Sequence, residues 1–369
     1  MFYFIINKKS QNIILLKYFF IFFFIYIYLF IINSKKILYN KIRIGVINMP
    51  NDQNVGNILV KFSLSKKLKE FGFDPIMITK NWYGVNISFL NRTVKLKIIK
   101  ENFYELNKND FDILILNSDQ TWGNYEKQYL YEYAFLKFSE NWTIPKFIYG
   151  ASMGSDNWFY TEKDEKMGKH LLKSFSGISF REIGLVKLAE KHLNIKPIFV
   201  LDPTLIIDKN YYLDEIRGFN RNFDFNKKYL FVYILDKNIL IEKFINETIQ
   251  IYNYSIIKEE LKDNYYIENF IFGMNISKAV ITDSYHGTLF SIIFNKPFIS
   301  YINTNRGKSR FDTLIEIFNL SNRIIYPTNF KNANISLLLE PLNINLKLLN
   351  NLKKISINFL KKNLLISKK

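Results

Sequence analysis

Asp283, Ser284, Tyr285 and His286 stand in a row inside the stretch AVITDSYHGTLFSIIFNKPFI at 279–299. The run before them (279–282) reads as a buried strand and the run after them (288–294) as a buried helix. His286 is one of only three histidines, the others being at 170 and 192. An imidazole in such a turn can offer a positive charge or a proton near neutral pH. A helix beginning near Thr288 adds the partial positive charge of its N-terminus. Gly287 lets the backbone come close to a ligand, and Ser284 adds a hydroxyl. The turn suits a phosphate or carboxylate, with His286 binding it and passing a proton to a leaving group. Plainer readings are open too: Asp283 as a helix cap, His286 as an interior histidine with its hydrogen bonds met.

Comparable polar clusters recur along the chain. PNDQNVGN at 50–57 holds Asp52, Asn54, Gly56 and Asn57, and amides opening the next helix can hold an anion there. SDQTWGN at 118–124 opens with Ser118 and Asp119. ISFRE ends on Arg181 and Glu182, FVLDPT carries Asp202, and NRGKSR at 305–310 supplies Arg306, Lys308 and Arg310. Each is weak alone. Asp119 could cap a helix, Arg181 could pair with a carboxylate, and 305–310 could be a solvated loop. The 50–57 segment lacks the Gly-Lys-Ser/Thr ending of a P-loop. What unites the clusters is their position at the carboxyl ends of strand-like runs, where open α/β sheets bind ligands.

Those runs alternate with helical patterns from residue 42 onward. IRIGVINM, DPIMIT, FDILILNSD, KFIYGASMG, SGISFRE and KPIFVLD read as strands, with helices expected over 57–72, 162–175 and 183–193. Residues 207–228 are polar and irregular and read as a linker. The alternation then resumes with YLFVYILD, a helix over 237–252, YSIIK, a helix over 267–277, AVITDS, a helix and PFISYI. The reading is an α/β chain: a first doubly wound domain at 42–210, a linker at 211–227, a second domain at 228–345 and an amphipathic helix at 346–369.

Residues 1–41 are unlike the rest. They lack Asp, Glu, Gly, Ala, Val, Thr and Pro, and 13–32 is broken only by Lys17. This is a candidate N-terminal membrane helix by length; in-frame translation of AT-rich upstream sequence gives the same restricted alphabet. Lys35, Lys36, Lys41 and Arg43 follow, which would leave the remainder in the cytoplasm, anchored at the inner face of the membrane. The net charge is +18 overall and +12 without the six lysines of 1–41. No basic stripe with interleaved aromatics suggests nucleic acid. The absence of cysteine excludes disulfides and thiolate sites, and three histidines make a His-rich metal centre an unattractive expectation.

Taken in order, NVGN, SDQTW, ASMGSD, SFREIG, VLDPT, ITDSYHGTLFSIIFNKPFI and RGKSRFDTLIEIFNL resemble the polysaccharide pyruvyl transferase family. The resemblance spans nearly the whole chain after residue 42. It implies two Rossmann-like domains facing across a cleft (a GT-B-like fold), phosphoenolpyruvate as co-substrate with no other cofactor, and a saccharide acceptor, free or lipid-linked. The implied product is a cyclic pyruvate ketal, with phosphate released. On the matching positions, His286 and Arg181 become candidates for donor binding or catalysis. Asp119 or Asp52 is expected as base, with Asp119 favoured at a strand end. Asn54, Gly56, Asn57, Ser284, Gly287, Arg306 and Arg310 are expected around the donor. The chain departs from the family at Asn117, where Gly is commoner, and at Trp122-Gly123-Asn124, where the family more often has Trp-Asn-Pro. The alternatives are a GT-B glycosyltransferase using a nucleotide sugar and a degenerate glycan-binding protein.

Overall fold

The computed structural model describes residues 41–50, 54–80, 87–123, 134–219, 224, 226–258 and 266–365. The expected N-terminal membrane segment and Asp52 lie outside these residues. Among the described residues no helix is long and apolar enough to cross a membrane.

Short apolar runs become parallel strands because both faces of such a strand are covered. Seven form the first sheet: β1 (Arg43–Ile47), β2 (Asp74–Lys80), β3 (Lys95–Ile99), β4 (Ile113–Leu116), β5 (Lys146–Ala151), β6 (Gly177–Phe180) and β7 (Ile198–Phe199). Their order is β3-β2-β1-β4-β5-β6-β7, parallel throughout, with Ile44 opposite Ile113 and Leu114 opposite Lys146. Order reverses between β1 and β4, the kind of point where open α/β sheets bind ligands. The second sheet has five strands: β8 (Tyr229–Tyr233), β9 (Ser255–Lys258), β10 (Ala279–Thr282), β11 (Phe298–Tyr301) and β12 (Ile324–Ile325), in the order β12-β11-β10-β8-β9. All four residues of β4 and of β10 are buried.

The helices are α1 (Val55–Glu70), α2 (Ser88–Thr93), α3 (Glu162–Leu172), α4 (Ile183–Leu193), α5 (Pro203–Ile206), α6 (Lys209–Glu215), α7 (Ile239–Tyr252), α8 (Tyr266–Ile276), α9 (Tyr285–Ile293), α10 (Lys308–Phe318) and α11 (Leu346–Leu365). The 207–228 segment differs from its reading as an irregular linker. It contains α6, begun by an Asp208 cap on the Asn210 amide. Tyr212 of α6 is fully buried, stacks near Phe62 of α1 and Phe290 of α9, and shares its hydroxyl with Ser63. One core therefore runs between the two sheets, and residues 42–369 form one compact unit. α11 returns to the first sheet: Ser356 Oγ accepts the Leu201 amide at 2.8 Å, and Phe359 packs on Phe147 and Tyr149.

Candidate functional site

The carboxyl ends of β1 and β4 face those of β8 and β10 across a cleft of about 500 Å³. Met49, Asn54, Asn57, Asp119 and Gln120 line one wall; Leu235, Asp283 to His286, Arg306, Arg310 and Phe311 line the other.

α9 begins three residues earlier than its apolar run suggests, because Ser284 caps it: the Ser284 hydroxyl accepts the Gly287 amide at 3.3 Å. Tyr285, His286 and Gly287 thus form the helix's first turn rather than a loop, and the positive end of the helix lies at His286. Gly287 packs against Thr282; a Cβ there would collide with the Thr282 hydroxyl. Asp283 does not cap α9. Its carboxylate accepts the Leu235 and Asp236 amides at 2.7 and 3.1 Å, pinning the loop after β8. Burial raises its pKa and those two amides lower it, with the first effect prevailing.

His286 is 4% exposed. Its Nε2 is buried without a hydrogen-bond partner and lies 3.6 Å from Asp202 Oδ2. Nδ1 sits beside Gly56, whose missing side chain makes room for the ring. Burial lowers the His286 pKa from its ordinary 6.5, and Asp202 only partly offsets this. Of the positive charge or the transferable proton expected of this ring, burial therefore favours the neutral form.

Arg181 has no lining position. Its side chain is wholly buried, with Nη1 2.5 Å from Asp202, Nη2 3.4 Å from Asp119, and the guanidinium over the Tyr285 ring. Burial alone would lower its pKa, but Asp202, Tyr285, Asp119 and Glu182 hold it above the ordinary value. Arg181 keeps Asp202 ionised, well below the usual carboxylate range despite burial. The charge of Arg181 is thus already met by two carboxylates of the protein. Arg310 lies over the other side of the cluster, 4.9 Å from the Tyr285 ring centroid, and bonds only backbone carbonyls among the described residues. Burial and then Arg181 lower its pKa, while Glu182 and Asp119 raise it. Arg306 also lines the cleft but forms a two-pronged pair with Asp236, both contacts at 2.7 Å. Lys308 turns away to Asp312 and Asp156.

Asp119 follows β4 with φ 131°, an uncommon conformation for a residue with a side chain, and forms an isolated parallel bridge to Ala151. Its carboxylate accepts the Gln120 amide at 2.8 Å and the Asn57 side-chain amide at 3.3 Å. Asn57 is thereby a holder of Asp119. Asn54 caps α1, taking the Gly56 amide at 2.8 Å. The family departure at Asn117 is accommodated by a buried pair: Asn117 Nδ2 donates to Asn48 Oδ1 at 2.6 Å. Trp122 is core, against Phe135 and Phe180.

Glu182 and Asp202 were not singled out as site residues by their sequence motifs. Glu182 is fully buried and bonds Ser152, the Met153 and Gly154 amides and Ser309, so it ties the end of β5 to α10. The only signal for Asp202 was its place after a strand, which helix-capping residues share; it does cap α5 through Thr204. Among the described residues no group of His and acidic side chains could hold a metal ion.

The solved structure of Arabidopsis thaliana UGT89C1 complexed with UDP-L-rhamnose resembles this chain with a TM-score of 0.52 at 10% identity, over 89% of this chain and 99% of that one. UDP-GlcNAc 2-epimerase from Neisseria meningitidis, bound to UDP-GlcNAc, gives 0.49 at 12% over 87% and 100%. The likeness to the first bears out the GT-B-like α/β fold expected from sequence and, at this identity, concerns fold alone. No curated protein matches the sequence. The family model described as polysaccharide pyruvyl transferase matches residues 54–305, from the cap of α1 to the loop before α10, and so spans both walls of the cleft. The chain belongs to the polysaccharide pyruvyl transferase family.

Proposed function

We propose that this transferase moves the pyruvyl group of phosphoenolpyruvate onto two hydroxyls of a saccharide, free or lipid-linked, as a cyclic ketal. The observation that supports the reading is one cleft lined both by a titratable imidazole, His286 in the first turn of α9, and by two guanidinium groups, Arg310 and the Asp236-paired Arg306. The donor's methylene carbon gains one proton, two acceptor oxygens bond to its C2, and the C2–O bond to phosphate breaks. The two hydroxyls supply both protons required: one ends in the new methyl group and the other on phosphate. No metal or redox partner enters that balance.

Arg310 holds the carboxylate or phosphate, and the α9 dipole adds to the same field. A neutral His286 takes a hydroxyl proton and returns it to the departing phosphate. Asp119, beside it on the opposite wall, is the second base. Charge on the oxocarbenium-like centre is met by the same carboxylate. The test is to incubate the purified full chain with phosphoenolpyruvate and pooled acceptor glycans and to assay phosphate. Release that needs both substrates is expected. Release of UDP from nucleotide sugars with no phosphate from phosphoenolpyruvate would make the chain a glycosyltransferase. Glycan binding without turnover of either donor would make it a binding protein.

A further inference from the structure

We propose that Asp202 is a positioning residue for His286: braced by Arg181, its carboxylate fixes the ring with Nε2 protonated and turned inward, leaving Nδ1 to exchange protons in the cleft. The inference deepens the reading above and rests on it for what Nδ1 does there.

The contact joins two parts of the fold. Asp202 follows β7 of the first sheet, and His286 belongs to the helix after β10 of the second. Oδ1 of Asp202 is committed to the Thr204 amide at 2.9 Å and hydroxyl at 2.7 Å. Oδ2 takes Arg181 at 2.5 Å and faces His286 Nε2 at 3.6 Å. An ionised carboxylate only accepts. A neutral imidazole has one N–H, and placing it on Nδ1 would aim the Nε2 lone pair at that carboxylate. The proton therefore belongs on Nε2, which otherwise has no partner in a buried position. Nδ1, beside Gly56, then carries the lone pair.

At 3.6 Å the Nε2 contact is longer than a hydrogen bond. Transfer of a hydroxyl proton to Nδ1 makes the ring a cation and draws the contact tighter. In that step the C2=CH2 π pair has already taken a proton at the methylene carbon, leaving C2 oxocarbenium-like; the acceptor O–H breaks, its hydrogen goes to Nδ1 and its oxygen bonds to C2. Nδ1 later gives the same proton to the departing phosphate oxygen. Arg181 keeps Asp202 from taking the proton itself. The other charged or titratable groups facing this pair are Asp119, Tyr149, Tyr212, Tyr285, Glu182 and Arg310; burial and the adjacent carboxylates keep the three phenols un-ionised.

The chain's three histidines make a direct measurement practical. In the full chain labelled with ¹⁵N-histidine and free of substrate, the His286 signals are identified by their loss in His286→Gln. The expected result is the Nε2–H tautomer at pH 7 with a titration midpoint below 6.5. An Nδ1–H tautomer, or an even mixture of the two, overturns the proposal. Asp202→Asn should release the tautomer and lower turnover about tenfold or more, with a shifted pH profile and a little-changed donor KM. Wild-type turnover and pH profile in Asp202→Asn also overturn it. Should that variant fail to fold with Arg181 left to Asp119 alone, the wild-type tautomer still decides. Because no substrate is present, its failure is distinct from failure to release phosphate from phosphoenolpyruvate.

Discussion

A single methyl group added at residue 56 would fall on the His286 ring. Gly56 was expected around the donor; in the structure it leaves space for a side chain from the other sheet. Gly56→Ala should therefore displace the imidazole. Overpacking of this kind costs about 1–3 kcal/mol, and turnover should fall well beyond what that loss explains; thermal unfolding and phosphate release on the same sample check this. His286→Asn should lose roughly 10²–10⁴ in rate while folding normally. It should also flatten the pH dependence of stability. His286 is held below 6.5 by burial, so the folded chain takes up this proton later than the unfolded one as pH falls. The group costs nothing above about pH 6.5 and destabilises progressively below it. The wild-type melting temperature should drop more between pH 7 and pH 5 than that of His286→Asn, and equal drops would place the ring's titration elsewhere. At this scale the sequence made the gathering of His286, Asp119 and Arg310 around one cleft legible, because polar residues at strand ends have few structural reasons to gather. It misplaced Arg181, since a charged residue in a strand-end motif reads alike whether it faces a ligand or two buried carboxylates.

Strands were more legible than helix starts among the elements. A parallel strand announces itself as a continuous apolar run, as ILIL does in β4, whereas a helix begins where a side chain caps it. Ser284 and Asn54 draw the starts of α9 and α1 back to residues that the apolar pattern left outside. α6 was missed because its seven residues bury little besides Tyr212. The junction of β5, α4 and α10 rests on Glu182, whose carboxylate serves two hydroxyls and two amides. Glu182→Ala strands these donors in a buried place, at about 1–3 kcal/mol for each group left unsatisfied. The melting temperature should fall, and the donor KM should rise as α10 and its Arg310 loosen. A lowered melting temperature with an unchanged KM would show that α10 is held by its apolar contacts alone.

For the whole molecule, the alternation of strands and helices made the two-sheet architecture readable, while the length of chain shared between the sheets was not. Non-local packing such as Tyr212 against Phe290 leaves no periodic trace. Residues 42–369 form a compact unit by themselves. A chain trimmed to begin at Lys41 should therefore fold and elute as a compact species on size exclusion; aggregation of that chain, with the full length well behaved in detergent, would show that the apolar segment supports the fold. α11 gives the molecule a further property. The backbone leaves the first sheet after β7, builds the second, and comes home through Ser356 and Phe359. Both ends of the 42–365 span are thus moored on one lobe, and the other is a loop-out carried on two tethers. With one core packed between the sheets, neither tether can be lengthened or cut without the shared core also being disturbed. A pull applied at the two ends would strain the first lobe and leave the second slack.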